Sequence, residues 1–204
     1  MTNIEFNHND YEILSRQVMY DGIFRIARYE IRHRLFEGGW SDPFFREVLE
    51  RRSAAAVLPY DPVLDRVILI SQFRAGALAQ PSGPWLTEIV AGILETHENP
   101  AQVAVREAIE EANCQMSNIE LISDYFVSAG GSNEYVHIYC GRCSAATTQG
   151  ICGLKEESEN ILVHNLPVEE AFARVRNNEI KTAPAIIALQ WLELNRQWLR
   201  EKWS

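Results

Sequence analysis

Alternating and continuous apolar runs predict β structure in the first third of the chain. In residues 29–35 the apolar and charged side chains alternate, as in a strand with one face in water. Residues 54–61 and 65–73 are nearly continuous apolar runs with β-branched residues, and Asp61-Pro62 lies between them. These two runs are expected to be buried strands joined as a hairpin.

The same patterning predicts one helix whose two ends are both marked in the sequence. Asn99 is a good N-cap residue, and Pro100 suits the first helical position because its missing N–H has no partner there. The helix is expected to run to about Ala112, since Asn113 can adopt the left-handed conformation that ends many helices. Its apolar side chains predict a stripe that packs on a sheet: Ala101, Val105, Ala108, Ile109 and Ala112.

Further apolar segments predict three more strands and two closing helices. The strands are expected at 119–127, 134–140 and 161–166, and the helices near 168–177 and 183–200. Strands around a central helix, followed by helices, indicate an α/β fold of the α+β kind, a sandwich with a mixed sheet. The order lacks the regular alternation of a doubly wound fold.

Composition narrows the classes of function. The chain has 204 residues, 47% of them hydrophobic and 23% charged, which suits one globular domain or one domain with an appendage. Its net charge of −9 repels phosphate and argues against binding to nucleic acid or to an anionic membrane. No apolar run has the length of a membrane span, and the N-terminus lacks the features of a secretory signal, so a cytoplasmic protein is expected.

The cysteines and histidines form no specific motif. Cys140 and Cys143 are a C-x-x-C pair, but Cys114 and Cys152 do not supply the second pair that a zinc site needs. The pair follows an apolar strand-like run and not the start of a helix, which thiol oxidoreductases prefer, so we expect small buried side chains around a turn. None of the five histidines has the spacing of a metal site, and a structural role is expected for them.

Three carboxylates of the predicted helix stand out in a chain that is already acidic. Glu107, Glu110 and Glu111 fall within an arc of roughly 100°, on the side away from the apolar stripe, so they are expected to face outward. Glu107 and Glu111, at i and i+4, repel each other as bare neighbours. Carboxylates at this spacing suit a hard divalent cation such as Mg²⁺ or Mn²⁺, and a solvated charged face is the alternative.

The spacing around this helix resembles the Nudix box of the Nudix hydrolases. Three positions depart from that pattern: Ala108 is small for an aliphatic position, Asn113 replaces a glycine, and Cys114 replaces an aliphatic residue. All the acidic positions are retained, so catalysis is expected. The charged and glycine positions that match, within residues 91–114, are Gly92, Glu98, Arg106, Glu107, Glu110 and Glu111.

The resemblance implies a role for each matching residue. Glu98 would pair with Arg106 and hold the loop against the helix. Glu110 would support the carboxylate cluster as part of the catalytic group. The implied ligands of a divalent metal, Mg²⁺ or Mn²⁺, are the Ala91 carbonyl, Glu107 and Glu111.

Almost the whole chain is similar to one branch of the family, the bacterial ADP-ribose pyrophosphatases. The similarity lies in segments 33–39, 46–51, 55–63, 70–78, 84–92, 128–134, 153–161 and 184–192. It implies hydrolysis of ADP-ribose to AMP and ribose 5-phosphate, with Glu157 as the general base that deprotonates water and Glu159 as a further metal ligand. The implied substrate-binding residues are Ile23, Phe24, Arg46, Glu47, Arg51, Arg74, Ile93, Ser128, Ala129, Gly130 and Glu134.

The resemblance also implies how the chain is organised. Residues 1–50 would form an N-terminal antiparallel β subdomain exchanged between the subunits of a homodimer, and residues 51–204 the Nudix α/β/α sandwich. Two alternatives stay open. A hydrolase of another nucleoside diphosphate sugar, such as GDP-mannose, would use the same box, and a Nudix-like regulator would bind a ligand without cleaving it. A purely acidic interaction module leaves the glycine-to-glutamate spacing unexplained.

Overall fold

The structure is a computed structural model that describes residues 5–146, 148–154, 156 and 158–203. The chain divides into two compact units. Unit 1 contains the described residues up to Arg52 together with Phe126–Tyr135. Unit 2 contains Ser53–Tyr125 and the described residues from Val136 onward.

Unit 1 is built on a three-stranded antiparallel sheet. Its strands, in sheet order, are β1 (Tyr11–Asp21), β2 (Arg25–His33) and β3 (Phe44–Glu50). The alternating run at 29–35 is confirmed as strand through His33, and Arg34 adds an isolated bridge to Trp40. The segment 126–135 joins this unit because the Leu49 N–H donates to the Gly131 carbonyl at 2.9 Å.

Unit 2 is built on a mixed sheet of eight strands. Their bounds are β4 (Ala54–Asp61), β5 (Arg66–Phe73), β6 (Trp85–Glu88), β7 (Val90–Ile93), β8 (Met116–Phe126), β9 (Tyr135–Cys143), β10 (Gly150–Cys152) and β11 (Ile161–Pro167). The path through the sheet is β10-β11-β5-β4-β9-β8, with β6 paired to β5 and β7 paired to β4. β4 runs parallel to β9 and antiparallel to β5, so the predicted mixed sheet is confirmed.

The predicted hairpin of buried strands is confirmed in β4 and β5, and Asp61 fixes its turn. One carboxylate oxygen of Asp61 accepts the N–H groups of Val63 and Leu64 at 2.9 Å, and the other accepts the N–H of Ala145 at 2.8 Å. Asp61 is buried, and these three bonds satisfy its carboxylate.

Helices cover both faces of this sheet, which confirms the predicted sandwich. One apolar cluster joins alternate residues of β4, β5 and β9 to α2 (Val168–Arg176) and α3 (Ala183–Trp203). The intervening residues of β4 and β5 form a second cluster with α1 (Pro100–Ala112). No helix in the described part of the chain is long and apolar enough to cross a membrane.

Both predicted ends of α1 are confirmed, but its predicted apolar stripe is only partly right: Ala108 and Ala112 are buried, whereas Ala101 and Val105 are only partly buried. The Asn99 side chain accepts the N–H of Ala101 at 2.9 Å, and Asn113 is left-handed with φ 48°. Ile109, placed in the stripe, is 47% exposed. The residues that are buried are Val103, Ala104, Ala108, Glu111 and Ala112.

The buried face of α1 is rotated because its side chains there are small. Alanines at 104, 108 and 112 let the helix lie close to the sheet, where it packs on β7 and β4. The rotation carries Glu111 fully to the inside and Glu107 partly so. The prediction that the three glutamates face outward is therefore wrong for these two.

The C-x-x-C pair is buried, as predicted, but does not surround a turn. Cys140 and Cys143 both lie within β9. Burial raises the pKa of the Cys140 thiol. All four cysteines are free thiols.

Candidate active site

Glu111 is a buried carboxyl at the contact between α1 and β7. It is 3% exposed, and its Oε2 accepts the N–H of Ala91 at 3.1 Å. Burial raises its pKa to about 8, and the neighbouring charges of Glu159 and Glu107 act in the same direction. The Ala91 N–H and the Arg74 guanidinium only partly offset this shift. The ionised form of Glu111 therefore lacks a sufficient counter-charge.

Glu107 lies directly over the backbone of Gly92 in β7. A Cβ atom placed on Gly92 would be 2.0 Å from Glu107 Oε1 and 2.2 Å from its Cδ. Such distances are far below van der Waals contact, so a side chain at this position is incompatible with Glu107 as it lies. The glycine of the box is needed here because the carboxylate occupies the space beside it.

The prediction that Glu98 pairs with Arg106 is wrong. Arg106 Nη1 lies 3.1 Å from Glu107 Oε1 and 3.2 Å from Glu110 Oε2. Arg106 and Glu110 are one helical turn apart, so this pair forms locally on α1. Glu98 instead accepts the N–H of Glu95 at 2.8 Å and closes the loop before the helix.

The segment before β11 brings a fourth carboxylate toward this cluster. Glu159 Oε2 accepts the N–H of Leu154 at 3.1 Å, and the Gly153 N–H donates to the Glu110 carbonyl at 3.4 Å. These bonds attach the segment to the C-terminal part of α1. Glu159 lies close enough to raise the pKa of Glu111. Glu157, the predicted general base, lies outside the described residues.

Arg74, at the end of β5, is held by an acid that the sequence did not single out. Its Nε donates to Glu88 Oε2 at 2.8 Å, and Gln72 Nε2 donates to the same oxygen at 3.2 Å. Gln72 is buried and Glu88 nearly so. The only signal in the sequence is that Gln72 interrupts the apolar run at 66–73 and Glu88 interrupts the one at 85–93.

Three predicted substrate-binding residues lie together in unit 1. The Arg51 guanidinium stands 5.0 Å from the centre of the Phe24 ring, and its Nη1 lies 2.9 Å from Glu134 Oε2. An arginine held between an acid and an aromatic ring has a fixed plane on which a flat group can stack. The nearby turn at 128–131 closes through a bond from the Gly131 N–H to the Ser128 carbonyl, at 3.0 Å, and contains Ala129 and Gly130.

The other predicted substrate-binding residues do not join that group. Arg46 stacks on Phe44 at 4.6 Å, and Glu47 pairs with Arg28 at 2.9 Å. Ile23 is 97% exposed at the turn between β1 and β2. Ile93 ends β7 in unit 2 and is half exposed.

The donor set of unit 2 fits a hard divalent cation. Carboxylates of Glu107, Glu111 and Glu159, with the Ala91 carbonyl, are the oxygen ligands that Mg²⁺ prefers. Within the described part of the chain, no three side chains of His, Cys, Asp or Glu are already grouped to hold a metal. The carboxylates alone therefore do not complete the coordination of a metal ion. The Ala91 carbonyl and water would have to supply the remaining ligands.

We expect the metal-free protein to lose stability as the pH rises from about 4.5 to about 8. Glu111 ionises near 4.5 in the unfolded chain but keeps its proton to about 8 when folded. Between these values the folded state binds the extra proton, so this group lowers the free energy of unfolding as pH rises, by up to ~5 kcal/mol. Urea unfolding in EDTA across this range measures the effect, and Mg²⁺ should reverse it at pH 8. A difference between wild type and Glu111→Gln that does not change with pH contradicts it.

Comparison with known proteins gives both a family model and close relatives. Residues 50–189 match the model of the NUDIX domain. The chain is 42% identical over 201 residues to the ADP-ribose pyrophosphatase of Escherichia coli (strain K12), covering 98% of this chain and 96% of that protein. The ADP-ribose pyrophosphatase of Haemophilus influenzae is 41% identical over 202 residues, covering 98% and 93%. A GDP-mannose pyrophosphatase of Cronobacter sakazakii is 34% identical over 151 residues, covering 73% and 78%.

A solved structure shares the fold across the whole chain. It is described as the crystal structure of an ADP compounds hydrolase, with a TM-score of 0.70 over 97% of this chain and 98% of that one. The sequence identity is 16%, so this likeness shows the fold alone.

Proposed function

The chain belongs to the Nudix family and is a Nudix pyrophosphohydrolase, and from this premise we propose that it hydrolyses the diphosphate bond of ADP-ribose to AMP and ribose 5-phosphate. The observation that carries the substrate is the 42% identity to an ADP-ribose pyrophosphatase over 98% of the chain, unit 1 included. The GDP-mannose pyrophosphatase matches less well and over a shorter part of the chain.

The metal requirement is proposed to be Mg²⁺ or Mn²⁺. The ligands would be Glu107, Glu111, Glu159 and the Ala91 carbonyl, which the hard-oxygen donor set and the raised pKa of Glu111 support. Bound there, a divalent cation would neutralise phosphate charge and lower the pKa of water. Arg106 and Glu110 would hold the cluster in place through their pair on α1.

Glu157 is proposed as the general base. A carboxylate is a suitable base for water whose pKa a metal has already lowered. Glu159, two residues along the chain, is hydrogen-bonded to Leu154 and is brought toward Glu111. That attachment supports a role for this segment in catalysis.

The adenosine end is proposed to bind unit 1. Phe24 offers an aromatic face, and Arg51, held by Glu134, offers a planar cation for stacking. Ser128, Ala129 and Gly130 would line the same pocket through the turn beside Glu134. Further contacts to this end are proposed from Ile23, Arg46 and Glu47 of unit 1. Arg74 and Ile93 of unit 2 are proposed as substrate-binding residues as well, and Arg74 would bind phosphate oxygens.

The assembly is proposed to be a homodimer in which residues 1–50 exchange between subunits. Large apolar side chains on unit 1 support this, since Ile13, Tyr20 and Phe45 are all more than half exposed. Residues 51–204 would be the Nudix domain. The cytoplasm is the proposed location, because the four free cysteines suit a reducing compartment.

A panel of nucleoside diphosphate sugars tests the proposal. With Mg²⁺, wild type should convert ADP-ribose to AMP and ribose 5-phosphate faster than it cleaves GDP-mannose. Glu157→Gln should lose about 10²–10⁴-fold in kcat, the usual contribution of a general base, while still binding ADP-ribose. The exposed neighbour Glu156, changed to Gln, is the matched control and should keep wild-type activity. Faster cleavage of GDP-mannose would change the substrate assignment to that nucleoside diphosphate sugar. Binding of ADP-ribose without cleavage would indicate a regulator.

A further inference from the structure

We infer that Glu88 is a positioning residue, which aims the Arg74 guanidinium at a phosphate oxygen of the substrate. The inference rests on the proposed function, because it needs a diphosphate in the site. It extends that function to a residue with no place among the metal ligands, the base or the substrate-binding groups described above.

The strand register puts Glu88 and Arg74 on the face of the sheet that α1 covers. Glu88 in β6 stands opposite Ile70 in β5, and Ile70 belongs to the apolar cluster that includes α1. Arg74 lies an even number of residues after Ile70, at the end of β5, so its side chain leaves on the same face. The pair therefore stands on the face of the sheet that carries α1 and its carboxylates.

The hydrogen bonds fix one part of the guanidinium and leave the rest available. Glu88 Oε2 accepts a hydrogen bond from Arg74 Nε at 2.8 Å, and the Gln72 amide donates to the same oxygen at 3.2 Å. Within the described part of the chain, neither terminal nitrogen of Arg74 has a partner. These two nitrogens carry the N–H groups that bind phosphate oxygens in a forked geometry.

The burial of the acid explains why it can serve as a fixed support. The Glu88 side chain is 13% exposed, whereas that of Arg74 is 44% exposed. A carboxylate held by a buried glutamine has little freedom, and its hydrogen bond orients the more exposed arginine. An arginine already oriented before the substrate arrives loses less freedom on binding.

A double-mutant cycle tests whether Glu88 acts through Arg74. Glu88→Ala should lower kcat/KM for ADP-ribose by about 10–100-fold, the range for loss of an orienting partner. Arg74→Ala should lower it at least as much, and the double variant no further. Glu88→Gln should recover part of the loss, because its amide oxygen can still accept Arg74 Nε. The Mg²⁺ concentration for half-maximal activity should stay unchanged.

A matched control separates this effect from the loss of any ion pair. Glu120 pairs with Lys202 at 2.5 Å in unit 2, away from the carboxylate cluster, and Glu120→Ala should retain wild-type kcat/KM. Melting temperatures of all variants show whether each one folds. The inference is overturned if the losses from Glu88→Ala and Arg74→Ala multiply, or if Glu88→Ala leaves kcat/KM unchanged. A more than tenfold higher Mg²⁺ requirement would make Glu88 a metal ligand instead.

Binding of inorganic pyrophosphate separates this inference from the proposed function. Calorimetric titration in the presence of Mg²⁺ needs no turnover, so the same cycle can be run if wild type does not cleave ADP-ribose. Weaker binding by about tenfold in Glu88→Ala, absent when Arg74 is already alanine, keeps the positioning role although the substrate assignment fails. Unchanged binding in Glu88→Ala removes the positioning role whatever the substrate.

Discussion

Gly92→Ala should lower kcat at least ~100-fold, because the new methyl group takes the space of the Glu107 side chain. Its Cβ would stand 2.0 Å, 2.2 Å and 2.4 Å from the Oε1, Cδ and Cγ atoms of Glu107. The strand cannot retreat easily, since Gly92 stands opposite Ala55 in the ladder between β7 and β4. Glu107 must therefore move away, and a shift of about 1 Å in a catalytic group can cost 10²-fold in rate.

The backbone conformation of Gly92 gives no reason for a loss of kcat in Gly92→Ala. Gly92 is not among the described glycines with positive φ, so alanine is conformationally allowed there. Gly141→Ala is the matched control, because its Cβ would stand 2.1 Å from the Met116 sulfur, away from the carboxylates. That variant should lose ~1–3 kcal/mol of stability through overpacking but keep its kcat. Steady-state kinetics and Mg²⁺ titration of both variants test the difference; normal kcat in Gly92→Ala would show that Glu107 can be displaced without consequence.

The sequence predicted correctly where α1 begins and ends, but it predicted poorly which face of the helix is buried. Asn99, Pro100 and Asn113 mark the ends through backbone chemistry that acts locally, so no tertiary information was needed. The buried face depends on what the helix packs against. Periodicity places glutamate outside by default, and it fails at Glu111, whose carboxyl is buried against the sheet.

Five of the eight strands of unit 2 were predictable because they are marked by long apolar runs, whereas the short strands β6, β7 and β10 were not predicted. Their membership in a mixed sheet followed from the order of elements and from the Nudix resemblance. The division of the chain into two units was harder to predict from the sequence, because unit 1 also includes the distant segment Phe126–Tyr135. That segment pairs with β3 through Leu49 and Ser132, which are more than eighty residues apart, and no local pattern encodes such a contact.

In the site, too, residue spacing predicted which residues come together, whereas contacts that depend on tertiary packing were missed. The box spacing located Gly92, Glu107 and Glu111, which the structure brings together. It could not reveal that Arg106 pairs within its own helix and not with Glu98, since the path of the loop decides that pairing. Glu88 was missed because a single acid in an apolar run has no spacing partner until β5 and β6 lie side by side.

Glu111→Gln should have two effects of opposite sign. Glutamine keeps an oxygen for the Ala91 N–H but cannot supply negative charge to a cation, so kcat should fall at least ~10³-fold, equivalent to ~4 kcal/mol of lost transition-state stabilisation. In EDTA at pH 8 the variant should be more stable than wild type, because its neutral amide avoids the cost of ionising a buried carboxyl.

The opposite signs distinguish a metal ligand from a structural acid. Glu110→Gln is the matched control on the same helix, because its partner is Arg106 and its side chain is more exposed, at 29%. We expect a smaller loss of kcat there, roughly tenfold, and no gain in metal-free stability. Steady-state kinetics with Mg²⁺ and urea unfolding with EDTA measure the two effects separately. If Glu111→Gln lowered both activity and metal-free stability, the acid would stabilise the fold through its bond to Ala91, and the metal would have to bind elsewhere.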